Sequence, residues 1–583
     1  MQTRRVIVTC SLLFLSPGAA FAVDAITVGP AQAERPTVCC LGFVVPIVQG
    51  DDNYNASVQV EYRAVGEVVW RTGFPLLRVR PDTLGSETPP GDFGLPDPEP
   101  SFAGSIFGLL PATAYEVRLS ITDPDGGSTT QTLTATTRAE PRAAPVNARA
   151  VHVSTQAQLS SALAAAQPGD VIDLAAGTYS QITLTVSGTD TNPIIVRGAS
   201  EDSVLVNATG RTYGVDIRSN HVYVENLTVS GSQWGARVQD VTDAVIQHVT
   251  FRNVQFGIDG MSGSNYDLYI CDNTLVGPHS WPDVSSATWD TEGIAVTGQG
   301  HTVCHNTLSG FGDALGLHQN SAMPNAAIDF FGNDVLFTGD DGMELDYAHR
   351  NVRAFENRIT NAGMGVSLQP VWGGPIYVFR NVFVNLAHSP YKFNNEPTGF
   401  LIFNNTSVRT LGDGSYGADA WPQLGYQLSD HWSRVSNFQF KNNLLVGRSG
   451  PARVTSALVL ADIDNNGWTP DGQFVFYDTF ANLQDVKARS PYEAHGLILN
   501  AQPFANGFSL PASYTTLIAP QDLSLNSGSN AVDAALLLPN INDDFVGSGP
   551  DLGALERGKP PPSYGVRALA TVRPMPPTGL TAQ

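Results

Sequence analysis

Between residues 150 and 555 the chain repeats one short pattern. Two or three apolar residues alternate with others, an Asn follows, and a second apolar run begins. The pattern is seen in Tyr269-Ile270-Cys271-Asp272-Asn273, Val303-Cys304-His305-Asn306, Asp329-Phe330-Phe331-Gly332-Asn333 and Ala354-Phe355-Glu356-Asn357. It continues in Val378-Phe379-Arg380-Asn381, Ile402-Phe403-Asn404-Asn405 and Phe440-Lys441-Asn442-Asn443. From Asn273 to Asn443 the steps are 33, 27, 24, 24, 24 and 38 residues. Three equal steps predict a repeat unit, and about 24 residues suffice for three short strands with their turns. Stacked units bury their inward side chains in one continuous core, and equivalent Asn side chains then pair along the axis. Longer steps predict loops inserted at a turn, where binding grooves are built.

Before this region, residues 27–140 alternate in short runs such as Val58-Gln59-Val60-Glu61-Tyr62-Arg63 and Tyr115-Glu116-Val117-Arg118-Leu119. The second run ends at the turn cluster Asp123-Pro124-Asp125-Gly126-Gly127. Leu110-Pro111-Ala112-Thr113-Ala114-Tyr115 resembles the tyrosine corner of fibronectin type III domains, which implies a β-sandwich over 27–140. Residues 1–22 have Arg4-Arg5, an apolar run from Val6 to Leu15 and Ala20-Phe21-Ala22. This is the arrangement of a signal peptide, so a secreted (periplasmic or extracellular) protein is expected. No other stretch has the length of a membrane span.

Residues Val153–Ala166 read as a short helix. They lead into Gln167-Pro168-Gly169-Asp170-Val171-Ile172-Asp173-Leu174-Ala175-Ala176-Gly177-Thr178-Tyr179. This resembles the entry of right-handed parallel β-helix (pectin-lyase-like) proteins that act on polysaccharides. Pro550-Asp551-Leu552-Gly553-Ala554-Leu555-Glu556 resembles their closing segment. The expectation is an all-β chain: a fibronectin type III-like β-sandwich, a right-handed parallel β-helix over 150–556 and a Pro-rich linker over 557–583.

Composition narrows the partner. Lys+Arg number 32 against 54 Asp+Glu, for a net charge of −22, and only 15% of residues are charged. That balance argues against nucleic acid, whose phosphates need a basic face. Only Lys392, Lys441, Lys487 and Lys559 are lysines. A monomer is expected. Cys271 and Cys304 each precede their Asn by two residues in successive coils. Period two places them on the inner face, as a disulfide or as two free thiols. Cys39 and Cys40 are adjacent, and their pairing is open.

Carboxylates concentrate in three consecutive coils: Asp290-Thr291-Glu292-Gly293, then Gly312-Asp313-Ala314, then Gly339-Asp340-Asp341-Gly342-Met343-Glu344-Leu345-Asp346. Stacking would bring them together, where like charges raise one another's pKa. Either a hard cation binds them through oxygen or some stay protonated as general acids. Gly339-Asp340-Asp341-Gly342-Met343-Glu344 resembles the calcium motif of family 9 polysaccharide lyases. The resemblance implies Ca²⁺ held by Asp313, Asp340, Asp341 and Glu344, and β-elimination of a uronate chain by a Lys base; Asp346 is taken as a further candidate metal ligand. The expected Lys position reads Ser367, and Lys392 stands one coil later, in Ser389-Pro390-Tyr391-Lys392-Phe393-Asn394. Lys392 is therefore the candidate base, with Arg350, His349 and Tyr391 as substitutes. Asp346 and His349-Arg350 loosely resemble the acidic and basic residues of family 6 lyases, but the basic spacing does not fit. Trp281, His318, Gln369 and Trp372 are the candidate sugar-binding residues. The Gly-Asp-Asp coil is also compatible with family 28 glycoside hydrolases, with Asp313, Asp340 and Asp341 as acid and base. Their other motifs are absent. A C5-epimerase or a non-catalytic carbohydrate-binding protein is the remaining alternative. Asp462-Ile463-Asp464-Asn465-Asn466-Gly467 begins like an EF-hand loop, but Gln473 replaces the closing Glu.

Overall fold

A computed structural model describes residues 24–568 except 86–90, 92–93, 96, 142–143, 146, 322, 410–433, 448–451, 501 and 510. The expected signal segment 1–22 lies outside the described residues, as does the tail beyond 568.

The alternating runs of 27–136 form an antiparallel sheet. Its order is Thr27–Val28, Leu41–Gln49, Ser101–Ile106, Arg71–Val79, Ser57–Ala64, Ala114–Thr122 and Thr129–Thr136, and Gln32–Ala33 pairs with Leu41–Gln49. Alternate residues of Ser57–Ala64 and Ala114–Thr122 are buried and share a core with Phe43, Phe102 and Ile106. Tyr115 Oη accepts from Leu110 N at 2.9 Å, the corner bond that the sequence suggested.

The rest is a parallel β-solenoid. The helix Gln156–Ala164, capped by Thr155, covers its first coil through Leu159 and Leu163. Each coil then contributes short strands to three faces. On the first face one inward file runs Ile172, Val196, Val224, Ile246, Ile270, Val303, Phe330, Ala354, Val378, Ile402, Phe440, Ile463. Each is paired to the next in parallel register, and all lie in the interior cluster. The second face is covered from outside by the C-terminal segment, whose Leu499, Phe504, Leu523, Leu525 and Leu552 pack on Val382, Val384, Val408 and Leu444. The third face is a nine-stranded sheet running from Ile182–Leu184 to Tyr391–Lys392.

The Asn residues form the expected ladder at the corner between the first two faces. Nδ2 of Asn273 donates to Oδ1 of Asn306 at 3.0 Å, and the contact repeats through Asn333, Asn357, Asn381, Asn405 and Asn443 to Asn466 at 2.9 to 3.0 Å. Each Nδ2 from Asn306 to Asn443 also donates to a core-strand carbonyl, as Asn357 does to Phe330 O at 2.9 Å. All of these side chains are fully buried. Asn466, noticed in the sequence only as part of an EF-hand-like string, is the last Asn rung. The ladder ends on the buried Glu493 carboxylate, 2.8 Å from Asn466 Nδ2. The residue before each rung turns the corner with positive φ: Asp272, His305, Glu356, Arg380, Asn404, Asn442 and Asn465 at 50 to 60°, and Gly332 at 64°. Left-handed backbone is costly for non-Gly residues, and the paired Asn that follows offsets it at every coil.

Cys271 and Cys304 are aligned across adjacent coils and form a disulfide with Cα atoms 4.5 Å apart. They face outward, not inward. Their neighbours Ile270 and Val303 occupy the core, so the alternation sends both sulfurs into an outer cluster with Val38 and Tyr269. That outer cluster belongs to the docking surface of the antiparallel domain. There Asp329 and Arg353, both fully buried, pair at 2.8 Å, and Phe107 inserts among Phe355, Tyr377 and Phe379. The described part of the Pro-rich segment also lies on the solenoid. Gly565 N donates to Gly332 O at 2.8 Å, and Arg567 grips Asp272 through two nitrogens.

Candidate active site

The third face assembles the acidic coils. Strands Glu292–Val296, Asp313–Leu317, Asp341–Glu344, Met364–Ser367 and Tyr391–Lys392 lie side by side in parallel register. Glu292, Asp313, Asp341 and Met364 form one file of side chains along this face. Gly316, Glu344, Ser367 and Lys392 form a second file. In each of three strands a glycine, Gly293, Gly342 or Gly365, follows the first file, and a Cβ there would strike a core side chain.

Oxygens of Asp313, Asp340 and Asp341 all lie within 4.8 Å of one another, and all three residues are buried. Asp313 Oδ1 accepts from Asp341 N at 2.9 Å. Oδ1 of Asp340 and Oδ1 of Asp341 are buried with no hydrogen-bond partner. Asp346 accepts from Ser367 Oγ at 2.7 Å and from Gln369 N at 2.6 Å. Lys392 Nζ lies 2.8 Å from Asp341 Oδ2.

Burial and mutual repulsion push Glu292, Asp313, Asp340, Glu344 and Asp346 towards their neutral forms. Asp340 and Glu344 are each raised to about 7, first by desolvation and then by Asp341. Glu292 is raised to about 8 by desolvation, then by Glu344 and Asp259. Asp313 and Asp346 are raised well above the carboxylate range by the same causes. Burial opposes the charge on Lys392, but Asp341, Asp340 and Asp346 outweigh it and hold the ammonium firmly.

The donor set suits a hard cation. Three convergent carboxylates, two of them with an unpartnered buried oxygen, are the ligand chemistry of Ca²⁺. Glu344 and Asp346 stand beside that triad rather than in it.

Of the candidate bases, only Lys392 joins the cluster. Tyr391 is its neighbour in sequence but points the other way. It is fully buried in the interior cluster against Phe383 and Phe440, out of reach of any substrate. Arg350 is committed to Glu34 of the antiparallel domain. His349 is buried against Trp372, with ring centroids 4.9 Å apart, and borders the cavity between the two domains. Burial depresses its pKa to about 3, which leaves it a weak proton acceptor.

Among the sugar-binding candidates, His318 is exposed at the end of its strand and Gln369 is partly exposed. Trp372 is only 2% exposed, under Tyr347 and His349, so it supports the cleft from beneath. Trp281 packs edge-on against Tyr514 and donates to its carbonyl at 3.2 Å. Sequence reasoning missed Asp259 and Arg237, which precede Ala295 in the second file. The recognised Asn repeat begins at Asn273, so those earlier coils had no register to align them.

No family model matches the chain. It is 24% identical over 440 residues to pectate lyase L of Dickeya chrysanthemi, covering 68% of this chain and 85% of that protein. Among solved structures, it is similar to the alginate lyase of Paenibacillus sp. str. FPU-7 (17% identity, TM-score 0.28, covering 48% of this chain and 98% of that one). It is also similar to the family 28 exopolygalacturonase of Yersinia enterocolitica (12% identity, TM-score 0.28, covering 77% and 95%).

Proposed function

We propose that the chain is an exported polysaccharide lyase that cleaves a uronic-acid-containing polysaccharide by β-elimination. Lys392 is the base and Asp313, Asp340 and Asp341 are the Ca²⁺ ligands. The observation that carries this reading is the contact between Lys392 and Asp341 inside a buried cluster whose carboxylates outnumber its cations. The sequence similarity to a pectate lyase supports the same reaction class.

β-Elimination needs a proton removed from the carbon beside a carboxylate and an electrostatic sink for the charge that develops there. When bound, Ca²⁺ would supply that sink by neutralising the uronate carboxylate. Asp340 and Asp341 present their unpartnered oxygens for it. While Asp341 is engaged only by Lys392, the lysine stays an ammonium. Charge compensation at Asp341 would loosen that grip and let the ammonium release a proton to solvent, and the neutral Nζ then accepts the C5 proton. Ser367, in register between Glu344 and Lys392, fixes Asp346 and keeps this side of the cleft rigid.

The competing reading is hydrolysis. Asp340 and Glu344, with pKa values raised to about 7, have the protonation of general acids. One assay separates the two: purified protein on polygalacturonate and alginate, with calcium and with chelator, following ultraviolet absorbance and reducing ends together. Absorbance that appears only with calcium supports elimination. Reducing ends without absorbance overturn it in favour of paired carboxylates. We further assign the antiparallel domain to a fibronectin type III-like sandwich acting as an accessory, and take the protein as a monomer.

A further inference from the structure

The third face does not end at the carboxylates. Two files of side chains run along it, and both continue towards the N-terminal coils. Phe256 lies two residues before Ile258, which pairs with Ile294, so it precedes Glu292 in the first file. Above Phe256 come Trp234 and then Tyr213, each paired in register. All three are partly exposed and lie outside the interior cluster. Trp234 and Phe256 are stacked, with centroids 3.9 Å apart and planes at 14°. Rings stacked along the axis turn their edges outward and make an apolar ledge.

The second file runs from Lys392 through Ser367, Glu344, Gly316, Ala295 and Asp259 to Arg237. Between the carboxylates and Asp259 it carries only Ala295 and Gly316. Nothing in the fold demands glycine at 316. Its φ is ordinary, and a Cβ there would meet its nearest neighbour, Glu344, at an unstrained 3.7 Å. Arg237 lies over the Tyr213 ring at 4.1 Å, and both it and Arg218 bind Asp216. With Asp259 beside Arg237, two guanidiniums face two carboxylates, so this end of the face is balanced in charge where the cluster around Lys392 is acidic.

We propose that this surface is an extended substrate track. A polyanionic polysaccharide lies along the solenoid axis, rests on the Phe256–Trp234–Tyr213 ledge and ends on Arg237. The proposal rests on the lyase reading for the cleft and adds the direction and chemistry of the distal subsites. Six coil steps separate Lys392 from Arg237, so at about 4.8 Å per step the track spans roughly 29 Å, the length of several sugars. Arg237 gives Nε and Nη2 to Asp216 and Nη1 to Tyr213, so a uronate carboxylate meets the remaining N–H groups of a guanidinium already fixed in place.

The test uses the full-length protein and the variants Arg237→Gln and Phe256→Leu, the second conservative enough to keep the ledge packed. Binding to polygalacturonate, alginate and a neutral galactan is measured by calorimetry at two salt concentrations. Turnover is compared on polymer and on the shortest cleaved oligosaccharide. The expected result is a roughly tenfold loss of affinity for a uronate polymer in Arg237→Gln, the size of one charge-assisted contact, with a weaker salt dependence. The kcat/KM loss should be larger on polymer than on the short substrate, and Phe256→Leu should show the same polymer bias. Equal losses on both substrates, or none, overturn the track even if unsaturated product forms. Arg237-dependent binding without unsaturated product keeps the track and sinks the lyase reading. Preference for the galactan overturns the track outright.

Discussion

Lys392 Nζ sits 2.8 Å from Asp341 Oδ2 although 51 residues separate them in sequence. Lys392 lies two coils beyond Asp341, and its long side chain reaches back across the Ser367 coil. In the proposed mechanism, the base expected at Ser367 is thus supplied from the next coil.

Lys392→Ala should abolish elimination, lowering kcat by about 10² to 10⁴-fold, the range for losing a general base. Its melting temperature should also fall, because Asp341 is left buried without its cation. Activity retained within tenfold would remove Lys392 from the mechanism.

Calcium should raise the melting temperature of the wild type, and by less in Asp340→Asn and Asp341→Asn, because binding to the native state stabilises by mass action. Asp346→Asn should respond nearly as the wild type does, since Asp346 is occupied by Ser367 and Gln369. Identical calcium shifts in all four proteins would place the ion elsewhere.

Asn357→Ala removes a fully buried rung that donates to Asn381 and Phe330 and accepts from Asn333. Orphaning several buried partners should cost about 3 kcal/mol or more. Urea unfolding should show it as a lower midpoint with an unchanged slope. A loss below about 1 kcal/mol would mean that the ladder is incidental.

Glu493 gives a pH dependence. Burial pushes its carboxyl from 4.5 up to about 8. Between those values the folded chain holds a proton that the unfolded chain has released, so this group's contribution to stability falls as pH rises from about 4.5 to 8. Glu493→Gln keeps a carbonyl for Asn466 and removes the titration. The variant should gain stability relative to wild type as pH rises through that window. A parallel pH profile for the two proteins would contradict it.

Much of the fold was legible because a solenoid writes itself in one dimension. Each coil repeats the same inward apolar positions and the same corner Asn, so spacing alone located the ladder from Asn273 to Asn443. Asn466 escaped because its neighbours Asp462 and Asp464 resemble a metal loop. The acidic coils were legible as a cluster because register is nearly constant within the repeat. The side-chain partners were not. Arg350 and His349 read as candidate bases until the antiparallel domain docked on their coil, and no local pattern announces a partner more than 300 residues away. Tyr391 failed for a simpler reason: adjacent strand residues face opposite sides, so Tyr391 and Lys392 cannot both serve the cleft.

The corner ladder makes the coil an indivisible unit of distance in this cleft. Every rung between Asn273 and Asn466 finds an Asn above and below it, so a viable insertion or deletion in those strands spans a whole turn, and partial ones are confined to the loops. The separation between the acids and the lysine can therefore change only in jumps of about 4.8 Å. A lineage that lost the Ser367 coil would deliver Lys392 one storey closer to Asp341 in a single event. Reach across storeys is thus a discrete variable, open to recombination and closed to point mutation.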